Sequence, residues 1–148
     1  MGGSVAVRQL NVFAARAPVG LWSTLVERVT GIGGFFFRAR DPEALTVWYQ
    51  ERLGVTPVPK SYDEEPWRQH EGVTAFAPFA FDSEMIGPPE HTWMINFRVA
   101  DLEAIVAQLR AAGEEVDVDP ERYPNGRFAA LRDPEGNGIQ LWQPMEPA

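Results

Sequence analysis

The chain has 148 residues, with 13 Lys and Arg against 21 Asp and Glu, and a formal net charge of −8. That balance, with no basic stripe to offset it, excludes binding to a phosphate backbone, and the apolar runs are too short to span a membrane. There is no cysteine, which excludes disulfides, thiolate metal sites and a cysteine nucleophile and suits a reducing cytoplasm.

Residues 1–30 read as an N-terminal extension. No acid occurs before Glu27, while Arg8 and Arg16 are present. Leu21, Trp22, Leu25, Val26 and Val29 fall on one face at helical spacing. Targeting peptides share this charge bias, but no long apolar run with a cleavage site follows. The segment is therefore predicted to be a helix that docks on the domain or on a partner. Residues 33–38 predict an aromatic strand. Asp41-Pro42-Glu43 then opens a helix, with Asp as cap, Pro in the first turn and an acid at the positive end of the dipole. Leu45, Trp48, Tyr49 and Leu53 continue it, and Gly54 stops it. Residues 56–58, 67–70 and 73–79 predict short strands, the first confined to an edge by Pro57 and Pro59. Residues 82–90 form a linker containing Gly87-Pro88-Pro89.

The later half follows the same plan. Residues 93–99 predict a strand. Asp101 caps a helix carrying Leu102, Ile105, Val106 and Leu109, which ends at Gly113. Residues 115–118 and 128–131 predict strands. Asp133-Pro134-Glu135-Gly136-Asn137 marks a turn before a last strand at 139–142. The two halves also echo each other: Arg38-Ala39-Arg40-Asp41-Pro42-Glu43 recurs as Arg98-Val99-Ala100-Asp101-Leu102-Glu103. The expected architecture is α+β. Two tandem βαβββ modules, about 31–82 and 91–144, form one curved mixed sheet around a cleft within a single domain, 31–148.

Strand alternation divides the faces. Ile95, Phe97, Val99, Ile139 and Leu141 go with the helix, as do Phe35 and Phe37. The other face collects Phe36, Arg38, Thr74, Phe76, Met94, Asn96, Arg98, Gln140 and Trp142. Large aromatics among a few polar groups suit a small-molecule pocket, and these nine are the candidate ligand-binding residues. The same pattern also fits a partly wet core. Arg38 and Arg98 hold equivalent positions, from which they could clamp an anion or pair with acids at the strand ends. His70 is the candidate general base. His70-Glu71 and Glu90-His91 also fit solvated loop edges.

Arg38-Ala39-Arg40-Asp41-Pro42 with Trp48-Tyr49 and Leu53-Gly54, then Asp133-Pro134-Glu135-Gly136-Asn137 with Ile139-Gln140-Leu141-Trp142, resemble the vicinal oxygen chelate superfamily. This is the group of glyoxalase I, the bleomycin-resistance proteins and the extradiol dioxygenases. The resemblance covers residues 31–144 and implies a glyoxalase-like domain. It also implies a homodimer, with the halves paired within one chain or exchanged between two. Its metal-dependent members place a His, Gln or Glu on each of four strands, and the equivalent positions here are Gly34, Thr74, Met94 and Gln140. That set predicts no metal, because such sites need about three or four protein donors. The expectation is a metal-free, cofactor-free binder of a small molecule. A metal-dependent lyase, isomerase or oxidoreductase of glyoxalase or dioxygenase type is the alternative. Two further alternatives are metal-free catalysis by His70, Arg38 or Arg98, and an interaction module built on the N-terminal helix.

Overall fold

The helix that follows Asp41 is set by local chemistry at both ends. In the computed structural model, which describes residues 27–145, the Asp41 carboxylate accepts from the Ala44 amide at 3.1 Å. Helix α1 (Pro42–Leu53) starts there, with Pro42 and Glu43 in its first turn. It ends at Gly54, whose φ of 71° lies in the left-handed region. The Gly54 and Val55 amides return to the carbonyls of Gln50 and Tyr49.

A single turn of 3₁₀ helix, Glu84–Ile86, precedes the later half. There follow β1 (Ile95–Arg98), α2 (Leu102–Ala111), β2 (Asp117–Val118), β3 (Gly126–Arg132) and β4 (Gly138–Pro144). Asp101 caps α2 through the Ala104 amide. The Gln143 side chain, from β4, accepts from the next free amide, Leu102, at 2.8 Å. The strands form one mixed sheet in the order β1-β4-β3-β2. β1 runs parallel to β4, and the other two pairings are antiparallel. The helix crossover between β1 and β4 is what parallel pairing requires.

The core lies between the sheet and the helices. Ile139 and Leu141 of β4 and Ala129 and Leu131 of β3 pack on Leu102, Val106 and Leu109, with Ile95, Phe97 and Val99 partly buried beside them. This is the helix-side face that alternation assigned. α1 joins the same core through buried Trp48, flanked by Tyr49 and Leu53.

Two polar contacts tie α1 to the later half. Glu114, in the loop after α2, accepts from Trp48 Nε1 at 2.9 Å and from Arg52 Nε at 3.1 Å. The β3–β4 turn makes the other contact. Asp133 is 4% exposed. Its Oδ1 accepts from the amides of Glu135 and Asn137, and its Oδ2 from Asn137 Nδ2 at 2.7 Å and from the Tyr49 hydroxyl at 2.8 Å. Burial, with Asp133 as acceptor, pushes the Tyr49 phenol well above its ordinary pKa and keeps it a donor. Glu135 then reaches the start of α1 and accepts from the amides of Arg40 and Asp41 at 2.5 and 3.3 Å.

The first half departs from expectation. Residues 33–38, 56–58, 67–70 and 73–79 form no strands, and no strand precedes Ile95 among the described residues. Only the later half is therefore a complete βαβββ unit. A strand exists only where a neighbour completes its ladder. β2, β3 and β4 follow one another through short turns, whereas 33–38 and 73–79 must close a much longer loop. Pro57, Pro59, Pro66 and Pro78 remove donors within that interval. Phe35 and Phe37 each pack on Trp93, with ring centroids 5.0 Å away, and Phe37 also meets Tyr49 of α1 at 6.4 Å. The predicted N-terminal helix falls outside the described residues, except for 27–30, which are exposed and not helical.

Removing the Tyr49 hydroxyl leaves one lone pair of a buried carboxylate unpaired. Tyr49→Phe is expected to lower unfolding stability by roughly 1–3 kcal/mol. Asp133→Ala should cost more, because it orphans the turn amides as well. Urea unfolding of the two variants checks the order.

Candidate functional site

The sheet face away from α2 is arranged in rows. Asn96 of β1, Gln140 of β4 and Ala130 of β3 lie opposite one another, and the next row holds Arg98, Trp142 and Phe128. In the first row Asn96 Nδ2 donates to Gln140 Oε1 at 2.7 Å. Gln140 is 2% exposed, one of the few polar residues so deeply buried. In the second row the rings of Phe128 and Trp142 are nearly parallel, with centroids 6.2 Å apart. Tyr123 meets Phe128 edge-on at 6.0 Å. Trp142 Nε1 donates to the Asn125 carbonyl at 2.8 Å, which locks the indole in place. Gly126 permits this packing: its φ is 134°, and an added Cβ would meet the Gln143 carbonyl and lie 2.7 Å from Trp142 Nε1.

The guanidinium of Arg98 is committed. Its Nη2 donates to the His70 carbonyl at 3.0 Å and its Nη1 to the Glu71 carbonyl at 3.3 Å. These bonds draw the loop at 70–72 across the end of β1. The His70 residue is exposed, and its contribution to this contact comes from the backbone. Met94 lies just before β1, its side chain close to Gly138.

Of the nine nominated residues, Met94, Asn96, Arg98, Gln140 and Trp142 come together along β1 and β4. Phe36, Arg38, Thr74 and Phe76 lie in the first half and are exposed, the two phenylalanines at 87% each. Without a paired strand, nothing holds them against the later half's face. Sequence reasoning passed over Phe128 and Tyr123. Phe128 was legible in principle, because the five-residue turn Asp133–Asn137 sets Arg132 opposite Gly138 and hence Phe128 opposite Trp142.

A cavity of about 300 Å³ opens elsewhere, between α2 and the β2–β3 pair. Leu102, Val106, Ala107 and Val118 line it, with the charges of Glu103, Arg110 and Arg127. Glu103 and Arg127 form an ion pair at 3.1 Å, and Arg110 Nη2 donates to the Val116 carbonyl. None of the nominated residues lines this cavity. Among the described residues no group of three or more His, Asp or Glu could hold a metal ion. No described helix is long and apolar enough to cross a membrane.

The family model described as the Glyoxalase/Bleomycin resistance protein/Dioxygenase superfamily matches residues 31–141. Among solved structures the chain is similar to a glyoxalase/bleomycin resistance protein from Streptomyces sp. CB03234. The identity is 41% over 33% of this chain and 42% of that one, with a TM-score of 0.31. This match therefore spans under half the length of that relative. The chain is also similar to TnmS3, an antibiotic binding protein from the same Streptomyces, at 25% identity over 71% of this chain and 88% of that one, TM-score 0.43. Similarity to Leishmania major glyoxalase I is 24% identity over 72% and 81%, TM-score 0.40. No curated protein matches the chain.

If Arg98 holds the 70–72 loop, Arg98→Ala should raise backbone hydrogen exchange across that loop while leaving exchange in β3 and β4 unchanged. Exchange mass spectrometry reads both regions in one experiment.

Proposed function

The chain belongs to the glyoxalase/bleomycin resistance protein/dioxygenase superfamily, and on that premise we propose that it binds a small molecule without a metal at the positions its metal-dependent relatives use. The observation that carries this reading is the state of Gln140. Its side-chain amide is bonded to Asn96 and is a single donor where a metal site needs about three or four. The equivalent positions add little. Gly34 has no side chain, Thr74 is exposed, and Met94 offers a thioether, which hard and borderline cations bind poorly. This donor set does not fit a divalent metal.

What supports binding is membership of a superfamily that includes bleomycin resistance proteins, together with the mixed polar face of β1 and β4, where Asn96 and Gln140 are backed by the buried pair Trp142 and Phe128. His70 is not favoured as a base, because its imidazole stands on an exposed loop tied down through its backbone.

The reading includes a homodimer. Phe36, Phe76, Val73 and Phe81 are exposed in the first half, and β1 presents an unpaired edge within the sheet. A second copy would cover both.

Two measurements test the proposal. Purified protein should hold substoichiometric metal by elemental analysis. Its melting temperature should not move with added zinc, nickel, iron or manganese, since anything that binds only the folded state raises it. Stoichiometric metal in this cleft, or a ligand whose binding is lost on chelation, would overturn the reading. Sedimentation should give the mass of two chains, and a monomer at micromolar concentration would remove the dimer.

A further inference from the structure

We propose that the cavity between α2 and the β2–β3 pair binds a small carboxylate with an apolar ring body, its charge held by Arg127. The site lies on the helix side of the sheet. It is separate from the β1–β4 face and does not rest on the reading given for that face.

The cavity has a cause in the sequence. Leu102, Glu103, Val106, Ala107 and Arg110 fall on one stripe of α2 and form one wall. On the sheet, Val118 pairs with Ala129, and by the same count Pro120 would stand opposite Arg127. Proline cannot extend a ladder, and β2 ends at Val118. Arg127 therefore has no neighbour from β2. It alternates with Ala129 and Leu131, which pack on the helices, so it points to the same side. Ala107, on the facing stripe, is too small to fill the gap. What remains is a cavity of about 300 Å³, the low end for small-molecule sites and suited to one or two fused rings.

The lining selects the ligand class. Leu102 and Val106 belong to the core and Val118 packs against it, so the floor is apolar and fixed. Two guanidinium groups, Arg110 and Arg127, stand there against one carboxylate, Glu103. This local positive balance occurs in a chain of net charge −8, and one negative charge on the ligand completes it. Arg127 is the enclosed member of its ion pair, with its side chain 18% exposed against 75% for Glu103. The cation is thus held in the wall, whereas its partner sits at the rim, where such pairs are weak. A ligand carboxylate matches the guanidinium fork as well as Glu103 does and also brings apolar surface to the floor. It takes the place of Glu103 on Arg127. Arg110, donating to the Val116 carbonyl at 2.8 Å, keeps a second positive charge at the far end of the stripe.

The test is an NMR titration of the full chain with 2-naphthoate, its uncharged counterpart 2-naphthamide, and acetate. Naphthoate should give saturable shifts at Val106, Ala107 and Val118 and bind about tenfold more tightly than naphthamide, the worth of a charge-assisted hydrogen bond. Acetate, which lacks the ring body, should shift none of them. Glu103→Gln should tighten naphthoate binding several-fold by removing the competing carboxylate, and Arg127→Gln should abolish the preference for naphthoate. Ala107→Leu, at an exposed helix position, should fill the cavity and end binding of both ring compounds. The comparison of the two on the unaltered protein stands even if a variant does not fold. Equal affinity for naphthoate and naphthamide, or no gain in Glu103→Gln, would overturn the inference. So would the absence of saturable shifts in α2 up to the solubility limit of naphthoate. Shifts confined to Asn96, Gln140 and Trp142 would overturn it as well, while leaving the reading of the β1–β4 face in place.

Discussion

The buried carboxylate of Asp133 is the constraint on which the architecture depends. A charge enclosed to this degree is costly unless its lone pairs are filled, and here they are filled from two directions. The Glu135 and Asn137 groups close the β3–β4 turn on it. The Tyr49 hydroxyl reaches it from α1, 84 positions away in sequence. One side chain therefore shapes a tight turn and anchors a helix from the other half. Glu135 adds a second hold by accepting from the amides at the start of that helix. The turn and α1 behave as one unit, and the hydrophobic contact of Trp48 with the α2 core is placed by it.

The same turn sets the site. Its length determines the β3–β4 register, and the register puts Ala130 beside Gln140 and Phe128 beside Trp142. The parallel pairing of β1 with β4, across the α2 crossover, then brings Asn96 against Gln140. The amide pair and the aromatic pair are neighbouring rows of one ladder. A face built in this way is rigid, because every member is held by strand geometry and the indole is also locked by Asn125. The aromatic pair is itself enclosed, Phe128 at 1% and Trp142 at 8% exposure, so it stiffens the face from within.

Membership of a superfamily does not by itself fix metal chemistry. A fold supplies positions, and the side chains at those positions decide the chemistry. Here the side-chain amide at the relevant position is bonded to a neighbouring asparagine. The positions that would complete a coordination shell hold glycine, threonine and methionine.

Both helices were legible in the linear order of residues, with their caps and stops, because Asp41, Gly54, Asp101 and Gly113 act through contacts a few residues away. The turn at Asp133–Asn137 was legible for the same reason, and alternation sorted Ile139 and Leu141 from Gln140 and Trp142. Residues 33–38 and 73–79 carry the strand pattern equally well, yet no ladder forms there. Alternation states which side a residue would face and is silent on whether a partner strand is present, which depends on closing a long, proline-interrupted loop. Nor could spacing reveal that Tyr49 and Asp133, or Asn96 and Gln140, would share a hydrogen bond. Local chemistry along the chain determined where elements begin, turn and end. Only the tertiary structure decided which of them pair, because pairing is a contest among distant segments that no short window of residues contains.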